Sequence, residues 1–263
     1  MKVLILAGGL PSTLADHNES LPKPMVEIGE RPLLWHIMKL YSHYGYDDFI
    51  ICAGYKGDMI KRYFTDYYIY QSDVTIDLET NQVMIHKKRT ENWKVTVLDT
   101  GRDTSIVQRV RKARKYVGSE DFIVAYGDCI SDIDVSDMVS KHRQSGVAAT
   151  VAAARPAGRN AVLPLNDEGG FSYDNRQGGS QPQPWVNACN MVFSEEIFHY
   201  LGEKDDFWEN SSFPRLAKDS QIQVYKHAGF WSAVETKRDQ YELEQLWKSG
   251  NPPWRLWKDE TLE

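Results

Sequence analysis

Three short apolar runs constrain this chain more than anything else in it: Lys2–Ala7 (KVLILA), Asp48–Ala53 (DFIICA) and Asp121–Tyr126 (DFIVAY). Runs of this kind form parallel strands buried on both faces. The first feeds the glycine pair Gly8-Gly9, and the third ends at Gly127-Asp128. Between them, Leu33–Tyr44 repeats apolar residues at helical spacing after Pro32, a residue suited to a first helical position. Lys56–Tyr67 reads as a second helix. The order strand, helix, strand, helix implies right-handed crossovers and a parallel sheet.

From Asp73 to Leu98 the pattern turns to alternation, in VTIDL, VMIHK and KVTVL. That predicts short antiparallel strands inserted into the wound sheet. Ile106–Val117 follows as a basic amphipathic helix. A helix over Val135–Gln144, a strand over Ala148–Ala154 and a loop-rich stretch from Gly169 to Pro184 come next. The remainder reads strand, helix, helix, strand, helix. No repeat or low-complexity segment interrupts the chain. The expectation is one mixed α/β domain over residues 1–263, with a first part to residue 153 and a C-terminal lobe from Ala154.

Composition narrows the function classes. A formal net charge of -6 leaves no basic stripe to neutralise phosphates, which argues against a nucleic-acid partner. The basic run Arg109, Arg111, Lys112, Arg114 and Lys115 reads as the solvated face of a helix, with room for one member turned inward. Cys52, Cys129 and Cys189 are odd in number and far apart, so neither a disulfide framework nor a zinc knuckle fits, and a reducing cytoplasm is the expected compartment. The N-terminus starts a strand without a charged leader. No apolar run reaches the roughly 20 residues that cross a bilayer, so no membrane partner is expected. The seven histidines show no metal-ligand spacing. The aromatic tail (Trp247, Trp254, Trp257) reads as a hydrophobic clasp or subunit contact.

Ligands of open α/β sheets bind beyond the carboxyl ends of the strands. Leu6-Ala7-Gly8-Gly9-Leu10 lies there, and its glycines allow backbone N–H groups to approach phosphates, although such a pair also makes an ordinary tight turn. Asp128 lies there too, placed either to hold a hard cation that bridges phosphate oxygens or to cap a turn. In Pro22-Lys23-Pro24 the two prolines fix the backbone around one lysine, so its ammonium is presented in a defined direction. That suits a polyphosphate, and equally a proline-rich surface loop.

LAGGL, then PKPMVEIG and PLLWHIMKLY, resembles the N-terminal signature of the sugar-1-phosphate nucleotidyltransferases. FIICAGYKG, SDVT, VTVLDTG, YGD, GFW and RDQYELEQLW are similar to the glucose-1-phosphate cytidylyltransferase branch and cover the chain end to end. The resemblance implies a Rossmann-like, GT-A-like nucleotidyltransferase fold: a mixed, mostly parallel sheet flanked by helices, with a small antiparallel insert. It implies a reaction in which CTP and a hexose 1-phosphate give a CDP-sugar and pyrophosphate, with Mg2+ as cofactor. It implies Lys23 and Asp128 as catalytic residues, and a nucleotide site of Leu6, Ala7, Gly8, Gly9, Leu10, Ser12, Thr13, Lys23 and Arg109. It further implies sugar-phosphate contacts at Arg176 and Asn187, metal ligands at Asp128 and Glu235, and assembly into a homo-oligomer.

The departures from that pattern fall on the reacting groups. Pro11, Ser12 and Thr13 stand where the family carries Gly-Thr-Arg, and Pro11 can neither donate a hydrogen bond nor copy a glycine's freedom. Losing a charge-stabilising arginine, as at Thr13, can cost on the order of 10³ in rate. Asn175-Arg176-Gln177 replaces Glu-Lys-Pro, with Arg176 keeping the charge in another geometry. Glu235 replaces an aspartate. Ala161 and Ala188-Cys189 replace glycines near the sugar, which narrows the pocket. Two readings follow: a transferase, and a homologue that binds a nucleotide or nucleotide sugar without turnover. A different transfer reaction on the same scaffold is a third.

Overall fold

A computed structural model gives the architecture and describes residues 1–9, 21–87, 91–155, 185–204 and 207–258. The first apolar run is strand β1 (Lys2–Ala7). A 3-10 turn (Lys23–Met25) and a tiny hairpin of β2 (Glu27–Ile28) and β3 (Arg31–Pro32) lead into helix α1 (Leu33–His43), with Pro32 one position earlier than expected, at the cap. Strand β4 (Asp48–Ala53) follows. The expected second helix divides at Asp66 into α2 (Gly57–Thr65) and α3 (Tyr67–Tyr70).

The alternating stretch is where the structure corrects the sequence reading. Only its first two segments, β5 (Asp73–Asp77) and β6 (Gln82–Lys87), pair as an antiparallel ribbon. The third, β7 (Lys94–Asp99), runs parallel to β4 at the edge of the main sheet. Alternation reports that a strand is covered on one face only, and an edge strand satisfies it as well as an inserted hairpin does.

Helix α4 (Ile106–Val117) starts on Ser105, whose hydroxyl accepts the Gln108 amide, and stops at Gly118 with φ 80°. Strands β8 (Phe122–Tyr126) and β9 (Cys129–Ser131), helix α5 (Val135–Ser145) and strand β10 (Ala149–Ala154) come next. Beyond the long loop-rich stretch lie β11 (Val186–Phe193), α6 (Ile197–Tyr200), α7 (Ser212–Lys218) and β12 (Ile222–Lys226). A short β13 (Trp231–Ala233), absent from the sequence reading, pairs antiparallel with β9. Helix α8 (Lys237–Lys248) begins at a Thr236–Asp239 capping box.

The main sheet has the order β12-β10-β11-β8-β1-β4-β7. β11 is antiparallel to both neighbours and every other pairing is parallel. The sheet is therefore continuous across residue 154, with strands from both sides of that position. Each central strand is buried on both faces, which explains the uninterrupted apolar runs. Val3, Ile5, Phe49, Ile51, Ile123 and Ala125 face a core shared with α1, α5 and α8. Leu4, Leu6, Ile50, Cys52, Phe122 and Val124 face a second core capped by α4, α6 and α7. A side chain of this size contributes roughly 1.5–3 kcal/mol on full burial, so the two cores hold the strand ends in fixed register.

The aromatic tail closes on α1. Trp254 and Trp257 are buried and, with Trp247, ring the imidazole of His36. Burial pushes His36 down to about 4, and its Nε2 lies 2.8 Å from the carbonyl of Ile28. Among the described residues no helix is long and apolar enough to cross a membrane.

Candidate active site

The carboxyl ends of β1, β4, β7 and β8 meet on one rim of the sheet, and the candidate residues gather there. Pro22 and Pro24 are buried, and the Met25 amide donates to the Pro22 carbonyl at 2.8 Å, so the turn carrying Lys23 is rigid. Gly127 brings it against β8. A Cβ on Gly127 would lie 2.8 Å from Pro24 Cγ and 3.1 Å from the Leu6 carbonyl oxygen, so only glycine lets the two segments close up. The result is an ion pair between residues 105 apart: Lys23 Nζ to Asp128 Oδ2 at 3.3 Å. Both side chains keep between a quarter and a third of their exposure, so both remain open to a ligand.

Arg109, the inward member of the basic run, lies beneath the glycine loop. Its guanidinium donates to the carbonyls of Gly8 (2.6 Å), Gly101 (2.8 Å), Arg102 (3.1 Å) and Ala53 (3.3 Å), and to the Thr100 hydroxyl. It is 4% exposed, and burial lowers its pKa. One side chain thus ties together the ends of β1, β4 and β7. This explains the first glycine of the pair: a Cβ on Gly8 would sit 2.2 Å from the Arg109 guanidinium, whereas among the described residues one on Gly9 would meet nothing within 4 Å. Leu6 and Ala7 are buried in β1, and the Leu6 carbonyl accepts the Gly127 amide at 2.9 Å. Leu10, Pro11, Ser12, Thr13, Ala161 and Asn175-Arg176-Gln177 lie outside the described residues.

The pairing of β13 with β9 sets the acidic side. The Val234 amide donates to the Asp128 carbonyl at 2.8 Å, which puts Glu235 one residue past the position facing Asp128. Glu235 is exposed, and its amide is fixed by Asp239 Oδ2 at 3.0 Å through the capping box of α8. Among the described residues no group of three or more His, Cys, Asp or Glu side chains could hold a metal. Two carboxylates suit Mg2+, which keeps most of its shell for water and substrate phosphates.

Asn187 is half-buried in β11. Its side chain donates to Glu209 Oε1 at 3.1 Å and accepts the Cys189 amide at 2.9 Å. Cys189 adopts φ 63°, a left-handed conformation costing a non-glycine residue roughly 1–2 kcal/mol. It lies where the register of β11 against β10 shifts. Its sulfur is 2.8 Å from that of Cys129, the residue after Asp128. Cys189 and burial together push the Cys129 thiol well above its ordinary value. Burial likewise raises Tyr126, whose hydroxyl accepts the Trp208 indole N–H at 3.0 Å. Sequence reasoning put the glycine loop and Asp128 beyond the strand ends, and the family resemblance added Lys23, but the cysteine contact and the Glu209 partner were missed. Spacing along the chain carries no signal for a contact made by β9 and β11 across a sheet.

A doubly covered, mostly parallel sheet with a lysine, a glycine loop and a strand-end carboxylate on one rim defines an open α/β protein with its candidate ligand site beyond the strand ends. The family model described as nucleotidyl transferase matches residues 2–161, and the chain belongs to that family. It is 38% identical over 259 residues to a glucose-1-phosphate cytidylyltransferase of Salmonella typhimurium, an alignment spanning 98% of this chain and 100% of the relative. Among solved structures, the fold is similar to UDP-glucose pyrophosphorylase from Acinetobacter baumanii (TM-score 0.67, 16% identity, 95% of this chain and 94% of the other). It is also similar to HddC from Yersinia pseudotuberculosis complexed with GMP-PN (TM-score 0.63, 19% identity, 94% and 99%).

Proposed function

We propose that this protein transfers CMP from CTP to a hexose 1-phosphate, releasing pyrophosphate and forming a CDP-sugar. The observation that carries the reading is the Lys23–Asp128 pair at 3.3 Å on the rim where the glycine loop ends. A phosphate oxygen of the sugar phosphate attacks the α-phosphorus of CTP, and the bond from that phosphorus to the β-bridging oxygen breaks. Such transfers depend on positioning and charge neutralisation. Lys23, a point charge on a rigid turn, sits against the attacking and α-phosphates. Asp128 and Glu235 are the side chains that would hold Mg2+, which supplies neutralisation of phosphate charge when bound. Gly8 and Gly9 let the backbone approach the triphosphate, and Asn187 and Arg176 contact the sugar phosphate. Arg109 orients the loop from below.

The second reading, a nucleotide-binding homologue without turnover, is favoured by Pro11, Thr13 and Asn175-Arg176-Gln177. One experiment separates the two: pyrophosphate release with Mg2+, scanning CTP and other nucleoside triphosphates against a panel of sugar 1-phosphates. Release with CTP and one hexose 1-phosphate is the expected result. Silence across the panel from folded protein, with an active relative alongside, would establish the second reading.

Assembly into a homo-oligomer belongs to the same proposal. On one face of the β5–β6 ribbon, Ile76 and Val83 pair across the strands, each more than half exposed, with Leu78 at the turn almost fully exposed. An apolar ribbon face of this kind is suited to a second copy of the chain. Leu78→Asp with Ile76→Asp should lower the mass measured by light scattering.

A further inference from the structure

We infer that Cys129 and Cys189 form an oxidative modification site, a dithiol that closes to an intramolecular disulfide by exchange with a low-molecular-weight disulfide. The two sulfurs are 2.8 Å apart, between a covalent bond of about 2.05 Å and an ordinary non-bonded contact, so closing needs about 0.8 Å of movement. Both cysteines are free. They retain 8% and 9% exposure, whereas Cys52, on the far side of β4, has none. All three are buried, so what sets the pair apart from Cys52 is the sulfur–sulfur contact rather than exposure.

Three features of the fold build this contact. The Asp128 carbonyl is bonded to Val234, and Cys129 pairs with Ala233, which fixes Cys129 at the start of β9. The irregularity of β11 and the left-handed backbone at Cys189 aim its side chain at Cys129. Asn187 holds that conformation by accepting the Cys189 amide. A cysteine occupies a backbone position that favours glycine, and its sulfur meets another sulfur there. Neither thiol has a part in phosphoryl transfer.

The exchange balances as follows. One cysteine sulfur attacks the reagent disulfide, and its proton leaves with the departing thiol. The second cysteine sulfur attacks the protein sulfur of the mixed disulfide, and its proton leaves with the second thiol. Two protein thiols are oxidised and one reagent disulfide is reduced to two thiols. The product ties the strand beginning beside Asp128 to the strand carrying Asn187. This chemistry is independent of whether the transferase reading holds.

The test uses the full chain, incubated with glutathione disulfide, denatured, alkylated with iodoacetamide, digested and analysed by mass spectrometry. Expected are alkylation of Cys52 alone and a linked peptide pair containing Cys129 and Cys189 that dithiothreitol opens. Alkylation of all three cysteines, glutathione retained on either member of the pair, or a link between two chains would overturn the inference. Cys189→Gly suits the left-handed backbone and should fold. After the same incubation it should show Cys52 alkylated and Cys129 free of any peptide link, either alkylated or still carrying glutathione because the resolving sulfur is gone, and a cross-link from Cys129 in that variant would also overturn it.

Discussion

The two sides of the candidate site are built on opposite plans. Under the glycine loop, Arg109 is buried and its donors reach five protein oxygens, on the ends of three strands. Across the rim, Lys23 and Asp128 are partly exposed and meet each other in a single contact of 3.3 Å. The same chemistry, a cation on oxygens, serves support in one place and stands ready in the other. A saturated, dehydrated guanidinium can only hold its neighbours, and removing it strands buried acceptors. A lysine with one long, half-wet contact loses little when phosphate oxygens replace the carboxylate. The difference teaches that burial and saturation, rather than charge, tell a supporting basic residue from an acting one.

The largest effect should come from the acting side. Lys23→Ala is expected to lower pyrophosphate release by on the order of 10³ or more while leaving the thermal midpoint within a few degrees of the parent. A melting shift as large as the supporting-side variants give would break the contrast. Arg109→Lys should do the reverse. It keeps the charge but not the planar fork, cannot serve the Gly8 carbonyl and the β4 and β7 ends together, and should cost about 1–3 kcal/mol of unfolding free energy in urea titrations. Retained stability in that variant would show that the ends of β1, β4 and β7 hold without it.

An intermediate effect belongs to the acidic side. Glu235→Gln should raise the Mg2+ concentration for half-maximal pyrophosphate release by roughly ten-fold or more, with unchanged unfolding, because the side chain is exposed and only its amide takes part in the cap of α8. An unaltered Mg2+ requirement would leave Asp128 as the sole carboxylate of the pair that matters.

Much of this division was legible in the sequence, and what was not has a physical reason. Strands buried on both faces announce themselves as apolar runs, so β1, β4 and β8 and the rim they create follow from composition at those positions. The rigid presentation of Lys23 follows from its flanking prolines. Sequence cannot tell β7 from a hairpin strand, because both are covered on one face. Nor could it pick Arg109 from its basic neighbours by charge. Helical spacing did not single it out either: Arg109 stands four residues before buried Ala113, but Arg114 stands four after buried Val110 and is exposed. The Cys129–Cys189 contact had no signal at all, since β9 and β11 are joined through the topology of the sheet and not through any local pattern.

The smallest and sharpest test compares two adjacent glycines. Gly8→Ala places a methyl 2.2 Å from the Arg109 guanidinium, closer than any real contact, so either the loop or the arginine must move. Since Arg109 donates to the Gly8 carbonyl as well, displacement breaks the tie between β1 and its neighbours, and a loss of about 1–3 kcal/mol follows. Gly9→Ala meets nothing within 4 Å among the described residues and should change unfolding free energy by no more than about 0.5 kcal/mol. If Gly9 serves only to let a phosphate approach its backbone, the same variant should weaken CTP binding measured by calorimetry. Equal stability losses at both positions would mean that the loop is held from its outer side as well, and the supporting side of the site would then extend beyond Arg109.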